Sequence, residues 1–407
     1  MMKKQIAAAA LSALVLASCG TEEKEEEQPL NVISSPQTVS EALTETEPPV
    51  TAETTSPETI SETVAETRKN VSFTALGDNL IHSSIYKQAA RRGAQSGTDY
   101  DFEYAYEGVA DLIDSADITV LNQETLICGD DGFVPSTYPR FNSPEALGHY
   151  MAELGVDVFT IANNHTLDMG ANGLSACLDY YDENGMMRVG AYRDSADREN
   201  IRTMEANGVT VSFLSYTESL NGLSLPGDTS LEIGMLDLEV IKSEIAAAKE
   251  ISDICAVSLH WGLENSGEVQ DYQRNAAREL GEAGADIIIG NHPHVLREIE
   301  VFENSDGGDT ICAYSLGNFI SAQSVGTNLI GGVLDFEVTI AEDKEPEIDG
   351  FELIPIVTHY DSNYSNVRLY KLSDYTPELA AVHGVRSNSR FDYDYILEYL
   401  KSKGLYE

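Results

Sequence analysis

The chain has 407 residues, with 25 Lys and Arg against 68 Asp and Glu and a formal net charge of −43. That length buries a large core and accommodates two domains. The charge repels nucleic acid and anionic membrane surfaces, so polyanion binding over the general surface is not expected, and an anionic substrate would need local cations to overcome the field.

At the N-terminus Lys3 and Lys4 precede an apolar run, Ile6 to Ala17, which closes in Leu16-Ala17-Ser18-Cys19. The run is short for a membrane span and has the form of an export signal. Its ending looks like a bacterial lipobox, in which cleavage leaves Cys19 as a lipid-modified N-terminus. Residues 1–19 are therefore expected to be a lipoprotein signal peptide, which makes the body extracytoplasmic and membrane-anchored. Residues 20–69 are rich in Glu, Thr, Ser and Pro and lack aromatics, the composition of a disordered tether. Cys128, Cys177, Cys255 and Cys312 contain no C-x-x-C pair. Export permits disulfides, and three pairings remain open; Cys255 and Cys312, inside apolar runs, read as small buried residues.

From Val71 the character changes. Val71–Leu76 reads as a first strand, ending at Gly77-Asp78. Helical periodicity covers Ile85–Arg92 and Tyr104–Ser115. Ile118–Leu121 is a strand ending at Asn122-Gln123-Glu124, before a loop rich in Gly and Pro. Glu145–Leu154 is helical, and Val156–Ile161 is a strand running into Ala162-Asn163-Asn164-His165. A helix over Leu174–Asn184 and a short extended piece over Met187–Val189 follow. Val209–Ser215 leads into a polar loop reaching about Leu231, and Leu236–Glu250 is a strong helix. Ile254–Leu259 ends at His260-Trp261-Gly262, Asp271–Ala283 is helical, and Ile287–Ile289 and Thr310–Leu316 are strands, the latter ending at Gly317-Asn318. Strands alternating with helices predict an α/β organisation. After Gly331 the pattern turns antiparallel over Val333–Ile340 and Phe351–Val357, and Leu369–Glu407 carries helical segments and many tyrosines. Residues 331–407 are read as a C-terminal extension on the body formed by residues 70–330.

Ligands in α/β sheets gather at the carboxyl ends of strands. Here those ends carry Asp78, Glu124, Asn164 with His165, His260, and His292 with His294. In an extended segment His292 and His294 would point the same way, with Pro293 stiffening the pair. Two carboxylates, an amide and three imidazoles form the mixed N/O set of a two-metal hydrolytic site. Each residue also has an ordinary role open to it. Asp78 suits a turn or cap, Glu124 an exposed loop, and Asn163-Asn164-His165 a cap for a helix beginning near Asn172. His260 beside Trp261 suits a buried structural position.

The motifs Gly77-Asp78, Asn122-Gln123-Glu124, Ala162 to Gly170, His260-Trp261-Gly262, Gly284 to His294 and Ser315 to Phe319 together resemble the CapA family. These are bacterial capsule or poly-γ-glutamate synthesis proteins related to calcineurin-like metallophosphoesterases. The resemblance runs from about Val71 to Ile320. It implies a four-layer αββα sandwich and two divalent metal ions (manganese, iron or zinc). It places Asp78 on the first metal, Glu124 between both, Asn164, His260 and His292 on the second, and His294 back on the first. It also makes His165 the acid that protonates the leaving group, with Asp168 orienting it. The sequence departs from the wider superfamily at Asp78-Asn79-Leu80, where Asp-x-His is usual, and at Glu124, where Asp is usual. Arg140 is a candidate for anion contact or for an ordinary surface ion pair. Asn318 could line the pocket or cap a turn, and Trp261 could wall the pocket or pack. The expected partners are the membrane, through the lipid anchor, and an anionic surface polymer or its synthesis machinery, without nucleic acid. Two functions fit: an extracytoplasmic metal-dependent phosphoester hydrolase in capsule synthesis or export, or a non-catalytic surface factor that binds or retains the polymer.

Overall fold

The computed structural model describes residues 68–129, 132–305, 307–342 and 344–406. The expected signal peptide, Cys19 and all but the last two residues of the expected tether lie outside them. Among the described residues no helix is long and apolar enough to cross a membrane.

Two sheets carry the fold. In the first, strands lie in the order Ser365–Lys371, Glu347–Asp361, Ile330–Ala341, Arg68–Asn79, Ile118–Asn122, Val158–Thr160 and Met187–Val189. The last four run parallel to one another, and Ile330–Ala341 pairs antiparallel with the opening strand from Arg68↔Ala341 to Leu76↔Val333. Residues 331–407 thus supply three strands of this sheet and are continuous with it. Arg68 and Lys69, expected at the tether's end, already belong to the first strand. The second sheet runs Ile299–Glu303, Asp309–Ala313, Ile287–Asn291, Ile254–His260, Val209–Thr217 and Arg202–Ala206. Its four inner strands are parallel and both edges antiparallel.

Strand alternation explains the layers. Val71, Phe73 and Ala75 face one way along the first strand and meet Val211, Phe213, Ala256, Ile287 and Ile289 of the second sheet in a core between the sheets. Phe73 stacks on Phe336 in it, with centroids 5.2 Å apart. The opposite face of the first sheet buries Leu76 and Leu121 against helices Ser83–Ser96, Glu145–Glu153 and Gly170–Glu183 and the C-terminal helix Tyr393–Ser402. The outer face of the second sheet packs Val257, Leu259 and Ile288 on helices Leu238–Lys249 and Asp271–Glu282. The result is the four-layer αββα sandwich.

Local differences from the sequence reading have packing causes. The helix expected over Tyr104–Ser115 is two short helices, Glu103–Tyr106 and Ala110–Ile113. Between them, Gly108 lies against the neighbouring strand, where a Cβ would sit 2.4 Å from Leu369 O. Strands Arg202–Ala206, Ile299–Glu303 and Asn318–Ile320 do not stand out in the sequence; the first two are short sheet edges, and the third is a three-residue buried piece paired with Arg68–Asn79. Cys128, Cys177, Cys255 and Cys312 are all free and buried. Trp261 is fully buried, stacks on Tyr314 and donates its Nε1–H to Tyr314 O at 3.3 Å, so it packs and does not wall the cleft.

Candidate metal centre and its cleft

Because the four strands from Arg68–Asn79 to Met187–Val189 run parallel in the first sheet, and the four inner strands run parallel in the second, the carboxyl ends of each set collect along one margin. Asp78 and Asn122 end strands of the first sheet, and His260 and Asn291 end strands of the second. The loops just beyond them supply Glu124, Asn164 and the His292-Pro293-His294 turn.

The turn is not the extended segment expected from Pro293. His292 has φ 96° and His294 φ 59°. Left-handed backbone at two β-carbon-bearing residues costs on the order of 1–3 kcal/mol each, and it brings the two rings inward. Gly290, one residue before the strand ends, has no room for a Cβ, which would lie 2.3 Å from Tyr314 O.

The six expected ligands converge. Asp78, Glu124 and His294 present ligand atoms within 4.8 Å of one another, and so do Glu124, His260 and His292. Glu124 belongs to both groups. His294 Nδ1 donates to Asp78 Oδ2 at 3.0 Å, His260 Nε2 lies 3.0 Å from Asn164 Oδ1, and His292 Nδ1 lies 3.1 Å from His260 Nε2. Asn163-Asn164-His165 do not cap a helix: the helix that follows starts at Gly170, and its N-cap is Met169.

Electrostatics mark the same place. Burial pushes the Glu124 carboxyl well above its usual range, with the nearby Asp78 charge adding to the effect and His294 opposing it. Burial also drives His260 well below the usual imidazole value, with His292 and His294 reinforcing it, and lowers His292. Burial would lower His294 too, but Glu124 and the Asp78 hydrogen bond outweigh it and hold that ring at about 9.

Both Glu124 oxygens are buried without a hydrogen-bond partner. A buried carboxylate without hydrogen bonds, with only the His260 and His294 rings at 3.7 Å, costs free energy that a cation on each side would return. The donor set of two carboxylates, one amide oxygen and three imidazole nitrogens therefore fits a pair of borderline divalent ions.

His165 stands beside this cluster, its Nε2 4.0 Å from Glu124 Oε1. Its Nδ1–H donates to Asp168 Oδ2 at 2.8 Å, and the same oxygen accepts from Phe141 N at 2.7 Å. The ring is thereby held with Nε2 toward the cleft, a cavity of about 300 Å³ lined by Arg140, His165, Asp168, Asn221 and Glu264 among others. Arg140 reaches the cleft and has no carboxylate partner among the described residues. Asn318 is elsewhere: its Nδ2 bonds Ser321, Gln323 and Asn328 O, bracing a loop and not lining the cleft. Two contributors escaped the sequence reading as individuals. Asn122, two residues before Glu124, donates to Asp78 Oδ1 at 2.7 Å. Glu264, two residues past Gly262, lines the cleft, and nothing in its local sequence distinguished it from other loop acids.

Comparison with known proteins bears on residues 72–323, the span of a matching family model. The family model described as "Bacterial capsule synthesis protein PGA_cap" matches residues 72–323. The PGA biosynthesis protein CapA of Bacillus subtilis (strain 168) is 34% identical over 213 residues, 51% of this chain and 53% of that one. The capsule biosynthesis protein CapA of Bacillus anthracis is 29% identical over 266 residues, 63% of this chain and 61% of that one. The chain thus spans between about half and three fifths of the length of these relatives. Among solved structures, the calcineurin-like phosphoesterase YfkN from Bacillus subtilis aligns over 83% of this chain and 97% of that chain, at 14% identity and a TM-score of 0.38. With a family model covering more than half of its length, from the first strand to just beyond Ile320, the chain belongs to the PGA_cap family of bacterial capsule synthesis proteins.

Proposed function

We propose that this protein is a metal-dependent hydrolase of a phosphoester or related bond, exported and anchored through Cys19, acting in capsule or poly-γ-glutamate synthesis or export. The observation that carries the reading is Glu124, fully buried, with two oxygens that have no hydrogen bond among the described residues, between two groups of imidazole and carboxylate ligands. Asp78, Glu124 and His294 would hold one ion, and Glu124, Asn164, His260 and His292 the other. Bound there, two divalent ions supply Lewis acidity toward a phosphoryl oxygen and lower the pKa of water.

The chain's own residues account for the rest of the reaction. In hydrolysis the oxygen of water bonds to phosphorus and the ester P–O bond breaks. The leaving oxygen takes a proton from His165 Nε2, which opens on the cleft beside Glu124. Asp168 fixes the tautomer, because a carboxylate accepting at Nδ1 leaves Nε2 as the nitrogen that gives and recovers the proton. Arg140, without an ion pair among the described residues, faces the non-bridging oxygens.

The test is metal content and hydrolysis of bis(p-nitrophenyl) phosphate by the full chain and by Asp78→Ala and His292→Ala. Near two equivalents of manganese, iron or zinc, lost together with hydrolysis in both variants, is the expected result. Metal content and hydrolysis unchanged in the variants would refute it. The family description favours a second reading, a non-catalytic factor retaining an anionic polymer; it predicts that a ligand-site variant still supports surface polymer. Anchoring is tested separately by fatty-acid labelling, which Cys19→Ala should abolish.

A further inference from the structure

The cleft in front of His165 holds two opposite, exposed charges that are not bonded to each other; Glu264 acts on His292 and His294 only at a distance. Among the described residues, the Arg140 guanidinium and the Glu264 carboxylate line the same 300 Å³ cavity without a hydrogen bond or ion pair to the protein. In a chain where 68 acids face 25 bases, most arginines that line a surface find an acid. Arg188, Arg193, Arg198, Arg274, Arg278 and Arg390 all lie against carboxylates.

The loop that carries Glu264 is built to stay in place. Arg297 is buried, with 1% of its surface exposed. It donates from Nε to Ser266 O at 3.0 Å, from Nη2 to Leu263 O at 3.2 Å, and from Nη1 to Gln273 Oε1 at 2.8 Å. A buried guanidinium without a carboxylate partner is costly, and here its donors are spent on the carbonyls flanking Glu264. On the neighbouring residue, Asn265 N donates to Pro293 O at 2.9 Å, which ties the loop to the turn bearing His292 and His294. Lys403 Nζ, just after the C-terminal helix, donates to Gly267 O at 2.8 Å. An exposed carboxylate carried on a backbone fixed in this way at the cleft repels a wholly anionic ligand, and the net charge of −43 adds to that repulsion.

We propose that Arg140 and Glu264 form a specificity subsite for a zwitterionic ligand: Arg140 takes the phosphoryl or other anionic oxygens, and Glu264 takes a cationic nitrogen a few bonds away. The substrate class of the centre is then an aminoalkyl phosphoester in preference to a purely anionic or neutral-alkyl one. The assignment rests on the phosphoester reading above and adds to it the charge of the leaving group.

The test uses phosphonates, whose C–P bond a phosphoesterase does not cleave, so binding is read apart from catalysis. The full chain, loaded with manganese, is titrated calorimetrically with 2-aminoethylphosphonate and with propylphosphonate, which match in shape and differ in the ammonium. Wild type should bind the amino compound roughly three- to tenfold more tightly. Glu264→Gln should bring the ratio to about one, Glu264→Lys should take it below one, and Arg140→Gln should weaken both ligands. Equal binding of the two by wild type, no binding of either, or a preference that survives Glu264→Gln would overturn the subsite. The two readings fail separately. Preferential binding without hydrolysis of any phosphoester removes the hydrolase and leaves the subsite. Hydrolysis with equal binding of the two phosphonates removes the subsite and leaves the hydrolase.

Discussion

Replacing Glu124 by glutamine should make the metal-free protein more stable while removing its response to metal. Glu124 is fully buried, neither oxygen has a hydrogen-bond partner among the described residues, and burial raises its carboxyl well above the usual range. A buried polar group left unsatisfied costs about 1–3 kcal/mol, and a neutral amide of the same shape relieves the charged part of that cost. With an unfolding entropy of roughly 2.1 cal/mol/K per residue, a body of about 340 residues from Arg68 onward gains about 1.5–4 °C in Tm. The sign follows from linkage: a carboxyl with a raised folded pKa is stabilising below its unfolded pKa and loses that contribution as the pH rises through the folded value. The gain in Glu124→Gln should therefore be larger at pH 8 than at pH 5. Added metal at about a hundred times its Kd stabilises wild type by about 2.7 kcal/mol, or about 4 °C on the same scale. The assay is thermal unfolding of both proteins with chelator and with manganese. A chelated variant less stable than wild type, or equal stabilisation of both by metal, would refute the reasoning.

Three further outcomes follow from named contacts. His165→Ala should lower kcat about 10²–10⁴-fold on an ester with a poor leaving group and much less on a nitrophenyl ester, whose leaving group needs no proton; metal content measured alongside should be unchanged. His383 donates from Nε2 to Thr358 O and accepts at Nδ1 from Val385 N, so its neutral form is fully bonded, and burial holds its pKa at about 4. Stability from this ring is complete above about pH 6.5 and is lost as the pH falls toward 4, by about 3 kcal/mol; His383→Phe should flatten urea-unfolding stability across that window. Trp261 is the one tryptophan of the chain, fully buried against Tyr314. Its emission should be blue-shifted and should red-shift on unfolding, and Trp261→Ala should cost about 3–5 kcal/mol by denaturant titration.

Much of the site was legible because parallel strands place chemistry at their ends. Asp78, Glu124, Asn164, His260, His292 and His294 each follow an apolar run, and the structure assembles all six. The backbone that assembles them was not legible. His292 and His294 occupy left-handed conformations that local propensity disfavours, so the extended geometry read from Pro293 was wrong although the convergence it was meant to explain is present. Asn318 illustrates the opposite error. Its position after a strand end looked like that of the ligands, but its Nδ2 is committed to Ser321, Gln323 and Asn328, which leaves only its Oδ1 without a hydrogen bond among the described residues.

Alternating apolar strands and amphipathic helices, read from the chain alone, determined the α/β class, the ligand types and their order, since those depend on periodicity and on which residues end each strand. Tertiary structure decided which acids matter. Glu264 and Glu124 are both loop glutamates in sequence. Only packing buries one between two groups of histidine and carboxylate ligands, and only the Arg297 clamp, from a separate loop, holds the other at the cleft mouth. Packing likewise made residues 331–407 part of the first sheet, because the partner of the Ile330–Ala341 strand is the opening strand more than 250 residues earlier. Such pairings are set by long-range complementarity, on which local sequence is silent.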